Sequence, residues 1–442
     1  MNGQAEVNGE DWNSIKSWGC NVIRLGFQQE WWEESEDYRE IIDKSIEESE
    51  KFGMYTILDN HWTNDKDKQQ TGHPEDWTSW KDMWVNIAER YIDKTSLLFD
   101  IWNEPHNISD SEWRNEAQEC VNRIRNAGND AIILISSTDW GHGGIWWAVG
   151  NPITGGNIAY TLHWYQDWTP GPSSELGIKM WLFVRGWWTI TKFAPVITGE
   201  FNVANETAAL SSQEAWMRNF CSVMDDWDIH FLGWGWYPEE WTDPPLWEFA
   251  LLQADGGSWI TPSKGGEILI EEIAKAKLND VVGGSLYIGP MLAITAYSPV
   301  TIIVTDPSGV RVGYDSAIRQ VVNEIGGAAY SGPETEPQVI AIPTPPIGVY
   351  VIDIFGAGTG EYTIAIESMA EDGTVTDSET WTSETSLGEL DRGSVQLFGD
   401  GSLVGRPHGV IPEVPWGTIV ASAAMIFALV AYVAMPKWKR KQ

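Results

Sequence analysis

Two glutamates stand where apolar runs have just ended. Residues 97–102 are mostly apolar, then turn polar at Asn103 and Glu104 and stop at Pro105, which cannot extend a sheet ladder. Residues 195–200 repeat the pattern and end on Glu200. Buried parallel strands read as short apolar runs, and in barrels of such strands the carboxyl ends carry the chemistry. Two carboxyl groups at neighbouring strand mouths are what glycosidic bond cleavage needs. One holds a proton for the leaving oxygen, and the other stays ionised to attack or to activate water.

Other strand ends add to the pair: Arg24, Asp59 and His61, His163 and Tyr165, and Trp234 and Trp236. An arginine beside one carboxylate favours its charged form, Asn103 is suited to gripping a hydroxyl at the reaction centre, and the histidines and Tyr165 orient or tune the pair. Competing readings exist for each residue. Arg24 could be a structural ion-pair partner, His61 and His163 satisfied core histidines, Glu104 and Glu200 helix-start residues favoured by the macrodipole, and Trp234 and Trp236 core filling.

The elements that must position these residues alternate between the strand and helix periods. Strands are expected over 21–25, 55–60, 97–102, 131–136, 157–165, 195–200 and 230–236. Between them helices are expected over 38–52, 80–91, 111–127, from 177, and over 211–227 with a Ser211/Glu214 capping box. A closing helix is expected over 265–278. This alternation predicts a parallel sheet. The chain opens on a helix over 10–18 with no strand before it, so the expected fold is a (β/α)8 barrel whose first strand is missing, as in a fragment or a mis-assigned start.

Composition narrows the ligand. With 63 Asp and Glu against 28 Lys and Arg, the formal charge of -35 argues against nucleic acid as a partner. The 28 tryptophans exceed what a core of this size calls for, and Trp31, Trp32, Trp62, Trp140, Trp146, Trp147, Trp164 and Trp168 all follow strand ends. They are expected on the catalytic rim, as flat platforms for an oligosaccharide or polysaccharide. Cys20, Cys120 and Cys221 have neither disulfide nor zinc spacing; each is expected as a small buried hydrophobe, and no metal or cofactor is expected.

From about residue 281 the texture changes to short Val-, Ile- and Tyr-rich runs between turns. An all-β sandwich is expected over 281–371, acting as a spacer, with its end and a stalk over 372–415. Residues 416–435 carry no charge and are long enough to cross a bilayer, and the tail at 436–442 is basic. By the positive-inside rule the tail is cytoplasmic and the rest extracellular. The expected location is therefore the cell membrane, single-pass, or the cell surface after carboxy-terminal processing. A monomer is expected.

Six motifs in order, Val22-Ile23-Arg24-Leu25, Asp59-Asn60-His61, Trp102-Asn103-Glu104-Pro105, His163-Trp164-Tyr165, Gly199-Glu200-Phe201 and Trp234-Gly235-Trp236-Tyr237-Pro238, resemble glycoside hydrolase family 5, a family of retaining barrel glycosidases rich in endoglucanases. The resemblance covers residues 1 to about 280. It implies Glu104 as acid/base, Glu200 as nucleophile, and Arg24, His61, Asn103, His163 and Tyr165 as the supporting shell. Trp236, or second Trp234, is the implied sugar platform. The implied activity is an endo-β-1,4-glucanase. A mannanase, a sugar-lipid glycosidase and a non-catalytic carbohydrate-binding surface protein stay open.

Overall fold

The computed structural model describes residues 9–62, 72–166, 173–203, 210–236, 251, 262–279, 290–371 and 373–407. Seven parallel strands form one sheet in sequence order: β1 Val22–Gln28, β2 Tyr55–Trp62, β3 Leu97–Asp100, β4 Ile132–Ser136, β5 Ile158–Tyr165, β6 Val196–Asn202 and β7 His230–Gly233. Every neighbouring pair is parallel and bridged by helices, the topology of a (β/α)8 fold. The outermost strands β1 and β7 are mostly half-exposed, whereas β3 and β6 are buried throughout.

The helices are α1 Gly9–Ser17, α2 Gln29–Glu34, α3 Glu36–Lys51, α4 Trp77–Arg90, α5 Asp110–Asn126, α6 Trp146–Gly150, α7 Glu175–Val184, α8 Trp187–Ile190, α9 Leu210–Asp226 and α10 Lys264–Asn279. Their starts follow ordinary capping chemistry. Ser35, Asp76, Ser109 and Ser174 each accept a backbone N–H from the first turn of α3, α4, α5 and α7. The Ser211/Glu214 pair does not cap α9, because the helix already begins at Leu210. The short α2 carries no sequence signal beyond Glu30 in its first turn.

The tryptophans correct the rim expectation. Trp80, Trp84, Trp113, Trp164, Trp187, Trp216 and Trp227 are among the largest fully buried side chains. Several act as clamps on backbone carbonyls. Trp80 and Trp84 of α4 both donate their indole N–H to Ile101 O at 3.1 Å, just past the end of β3, and Trp113 of α5 donates to Ser136 O at the end of β4 at 2.8 Å. The indole suits this work because it fills volume and still satisfies one buried acceptor. Trp164 packs among Trp181, Trp216 and Phe220, Trp32 is buried, and Trp146 donates to Val184 O. Trp168 and the side chain of Trp62 lie outside the described residues. Of the expected rim set, Trp140 is exposed, at 41%.

Beyond the barrel, two antiparallel sheets face each other over an apolar core. One contains β8 Met291–Tyr297, β12 Ala329–Tyr330, β13 Gln338–Pro343, β15 Gly360–Met369 and β16 Val375–Thr385. The other contains β9 Val300–Thr305, β10 Arg311–Asp315, β11 Gln320–Asn323, β14 Gly348–Gly356, β17 Leu390–Leu397 and β18 Leu403–Arg406. Strands β16 to β18 fall in the stretch read as the sandwich end and stalk, and β17 pairs on both sides, with β14 and β18. The sandwich also shares a core with the barrel. Met291, Ala293, Val339, Ala341 and Met369 pack into the same cluster as α7. Seven consecutive α7 residues from Ile178 to Val184 are buried, six of them apolar and the seventh, Lys179, paired with Asp226 at 2.6 Å, so the helix is covered on every side. The expected membrane segment 416–435 lies outside the described residues; among the described ones, no helix is long and apolar enough to cross a membrane.

Candidate active site

The strands and the turns that follow them bring Arg24, Asp59, His61, Asp100, Asn103, Glu104, His163, Tyr165 and Glu200 together; Arg24 lies within β1, which runs on to Gln28 rather than ending near residue 25. Arg24, on β1, is the hub. Its Nη1 donates to Glu200 Oε1 at 2.7 Å, its Nε and Nη2 to Asp100 Oδ2 at 3.0 and 2.8 Å, and its Nη2 to Asn103 Oδ1 at 2.6 Å. Asp59 Oδ1 lies 3.1 Å from the same Nη2. Burial opposes the charge on this guanidinium, but Asp59, Asp100 and Glu200 outweigh it and hold its pKa above the usual range. One buried cation thus serves three carboxylates. Burial, offset in part by Arg24 and reinforced by Asp59, pushes Asp100 up to about 7.

The two glutamates have unlike partners. Glu200 Oε2 accepts the Tyr165 hydroxyl at 2.5 Å while Oε1 accepts Arg24, so both of its oxygens are held by donors. Glu104 Oε1 lies 2.8 Å from His163 Nδ1. Burial pushes His163 down to about 4, so near neutral pH it offers Glu104 a hydrogen-bond partner without a positive charge. Glu104, Glu200 and His163 each place a donor atom within 4.8 Å of the others. That separation allows direct attack by one carboxylate and leaves no room for a water between them, the retaining rather than the inverting geometry.

Local irregularities aim these groups. The ladder between β5 and β6 shifts at Leu162/His163 and that between β6 and β7 shifts between Thr198 and Phe201, so both bulges flank Glu200. Gly199 permits the approach: a Cβ there would lie 2.6 Å from Thr161 Oγ1 and 2.9 Å from His163 Nε2. Gly141, at φ +73°, lets its loop pass close behind the His163 ring and accept His163 N–H at 3.0 Å.

His61 lies between the carboxylates and an aromatic face. Its Nδ1 is 2.6 Å from Asp59 Oδ2 and 3.9 Å from Glu200 Oε1, and its ring lies parallel to Trp234, centroids 5.2 Å apart. Burial alone would lower its pKa; Asp59 and then Glu200 raise it overall. Trp234 therefore borders the acid cluster. Trp236 does not: its ring meets Trp18 edge-on at 4.7 Å and its N–H reaches toward Asp11 of α1 at 3.3 Å. The strand stops at Gly233, so the alternation that would put positions 234 and 236 on one face no longer applies. On the opposite flank Trp140 stacks on His106, whose Nδ1 contacts Glu104 O at 2.8 Å.

Asp100 was not singled out because it sits inside an apolar run. Its signal was the run itself, since a carboxylate within a buried strand needs a cation, and Arg24 supplies it. Among the described residues, Glu104, His163 and Glu200 are the set close enough to share a small cation. Glu200 already has Arg24 as its counter-charge at 2.7 Å, and the set fits proton and carboxylate chemistry better than metal ligation.

The chain resembles known proteins in the barrel region. It is 26% identical over 258 residues to an endoglucanase from Microbulbifer sp., covering 55% of this chain and 46% of that protein. It is also 26% identical over 273 residues to endoglucanase C of Evansella cellulosilytica, covering 54% and 32%. The chain thus spans between about a third and a half of the length of these curated relatives. Its fold matches a crystal structure of an endo-beta-1,4-glucanase from Xanthomonas axonopodis pv. citri at a TM-score of 0.50 and 20% identity, over 61% of this chain and 90% of that one. The family model for cellulase, glycosyl hydrolase family 5, matches residues 4–240, and with that span, strand order and site the chain belongs to glycosyl hydrolase family 5.

Proposed function

We propose that the protein is a retaining endo-β-1,4-glucanase. The reading rests on one observation: two carboxyl groups within 4.8 Å, one held by a guanidinium and a phenol, the other by an uncharged imidazole. Glu200 attacks the anomeric carbon while Glu104 protonates the departing oxygen; Glu104 then takes a proton from the water that releases the sugar. Arg24 and Tyr165 hold Glu200 in line, and the amide of Asn103, its oxygen fixed by Arg24, presents its NH2 to a sugar hydroxyl. Trp234 forms the platform beside the cleaved bond, and Trp140 a second on the Glu104 flank. The acidic surface suits an uncharged polymer.

We place the enzyme at the outer cell surface, held by residues 416–435, as the uncharged run and the basic tail suggest. Hydrolysis of carboxymethylcellulose, mixed-linkage β-glucan and mannan tests the activity, with NMR of the first anomer released. We expect glucan cleavage with a β-anomer first. Binding without release of reducing ends from any of the three would end the enzymatic reading, and an α-anomer first would end the assignment of Glu200 as nucleophile.

A further inference from the structure

Glu104 stands on backbone that no ladder and no helix holds. Strand β3 ends at Asp100 and α5 begins at Asp110, so Glu104 lies in irregular chain whose peptide groups must find their partners one at a time. Ile101 O accepts the two indoles of α4, and Asn103 N–H donates to Asn60 O at 3.2 Å. Pro105 O accepts Trp140 N–H at 3.1 Å, and His106 N–H donates to Gly72 O at 2.8 Å. The carbonyl of Glu104 itself is met by a side chain, His106 Nδ1 at 2.8 Å. A carbonyl can only accept, so Nδ1 carries the proton.

His106 has little freedom to leave. It is 4% exposed, and its ring stacks on Trp140 with the planes 11° apart. Gly72 comes as close, since a Cβ there would lie 2.1 Å from His106 O and 2.9 Å from its Cδ2. Trp140 belongs to three successive residues in the left-handed region, Asp139, Trp140 and Gly141, at φ +56°, +60° and +73°. Trp140 covers His106 and ties Pro105, while Gly141 O accepts the N–H of His163, whose Nδ1 lies 2.8 Å from Glu104 Oε1. One loop thus fixes both the main-chain and the side-chain holder of Glu104.

We infer that His106 is a positioning residue for Glu104: its Nδ1–H fixes the Glu104 carbonyl, so that the carboxyl reaches the departing oxygen, and its ring joins this group to the Trp140 platform. The inference rests on the proposed retaining mechanism. A leaving-group sugar stacked on the open face of Trp140 is joined, through one imidazole, to the group that must protonate it.

Departure of a sugar alkoxide needs the Glu104 proton, whereas dinitrophenolate leaves without one. For each substrate kcat/KM covers the steps up to formation of the glycosyl-enzyme, and the ratio of the two values does not depend on how much of a preparation is folded. In the full chain, His106→Phe keeps a ring against Trp140 and loses the donor. It should lose at least about tenfold in kcat/KM on cellopentaose and less than about threefold on dinitrophenyl β-cellobioside. His106→Asn, which carries an N–H at the position of Nδ1, should recover most of that loss, and His106→Gln, one methylene longer, should not. If His106→Phe yields no folded protein, the ratio in the Asn and Gln variants decides: a ratio equal in the two overturns the role. Equal losses on both substrates, or no loss, also overturn it and leave the glycosidase reading intact. An unsubstituted chain that cleaves neither substrate overturns that reading and the role of His106 with it.

Discussion

Replacing Gly199 by alanine tests whether the close approach of β6 to β5 sets the catalytic spacing. The added methyl would lie 2.6 Å from Thr161 Oγ1 and 2.9 Å from His163 Nε2, where ordinary contacts begin at 3.4 Å. Neither neighbour is the loose end of a flexible side chain, because both are buried between strands. Strand β6 must therefore yield by about 0.8 Å, carrying Glu200 with it, and a misplacement of about 1 Å costs roughly 10²-fold in rate. Overpacking of this kind costs about 1–3 kcal/mol of stability. We expect Gly199→Ala to fold, to lose about 30–100-fold in kcat/KM mostly through kcat, and to unfold at lower urea. Removing the nearer obstacle with Thr161→Ala in the same chain should restore at least threefold of the activity, within the coupling of about 0.5–3 kcal/mol seen between contacting residues. Full activity in Gly199→Ala, or a double variant no better than the single, would refute the claim that this contact places Glu200.

Three further outcomes follow from the same geometry. Trp84→Phe removes one of two N–H donors to Ile101 O and should cost about 1 kcal/mol in urea unfolding; Trp80→Phe with Trp84→Phe should cost more than the two singles together, because the buried carbonyl then loses both partners. His163, held down to about 4 by burial against a usual 6.5, remains unprotonated in the folded chain while the unfolded chain takes up a proton, so stability falls as pH drops through that window by on the order of 3 kcal/mol. The difference in urea midpoint between pH 7.5 and 4 should shrink in His163→Gln, and an unchanged difference would contradict a buried neutral imidazole. A chain ending at residue 279 uncovers part of α7, and should aggregate or bind a hydrophobic dye where the full chain does not.

How much was visible in the residues differs from place to place. Apolar runs ending in polar residues located the seven strands of the sheet; the run is clearest where a strand is buried on both faces, as in β3 and β6, and persists in the half-exposed β1 and β7. The same rule expects Glu104 and Glu200 at strand ends; Glu104 follows β3 by four residues and Glu200 lies two residues inside β6, and their mutual distance depends on two ladder shifts that no pattern announces. Tryptophan was misread because position after a strand end does not tell which way an indole turns; Trp164 turns inward and Trp140 outward. Trp236 failed for a related reason, as β7 stops three residues before it. Strands β16 to β18 were missed in part because Ser, Thr and Glu alternate along β16, which is largely solvent-facing, and such a sequence reads as a linker until its partner strand is known.

The fully covered α7 also sets a schedule for biosynthesis. On its outer side it is covered by β12 and β13 of the sandwich, the last of which ends at Pro343. Between Val184 and Pro343 a translation rate of about 5–20 residues per second leaves roughly 8–32 s in which the nascent barrel carries an uncovered apolar ridge. A cell making this protein must shield that ridge with a holding chaperone or delay closure of the barrel until the second half of the chain arrives.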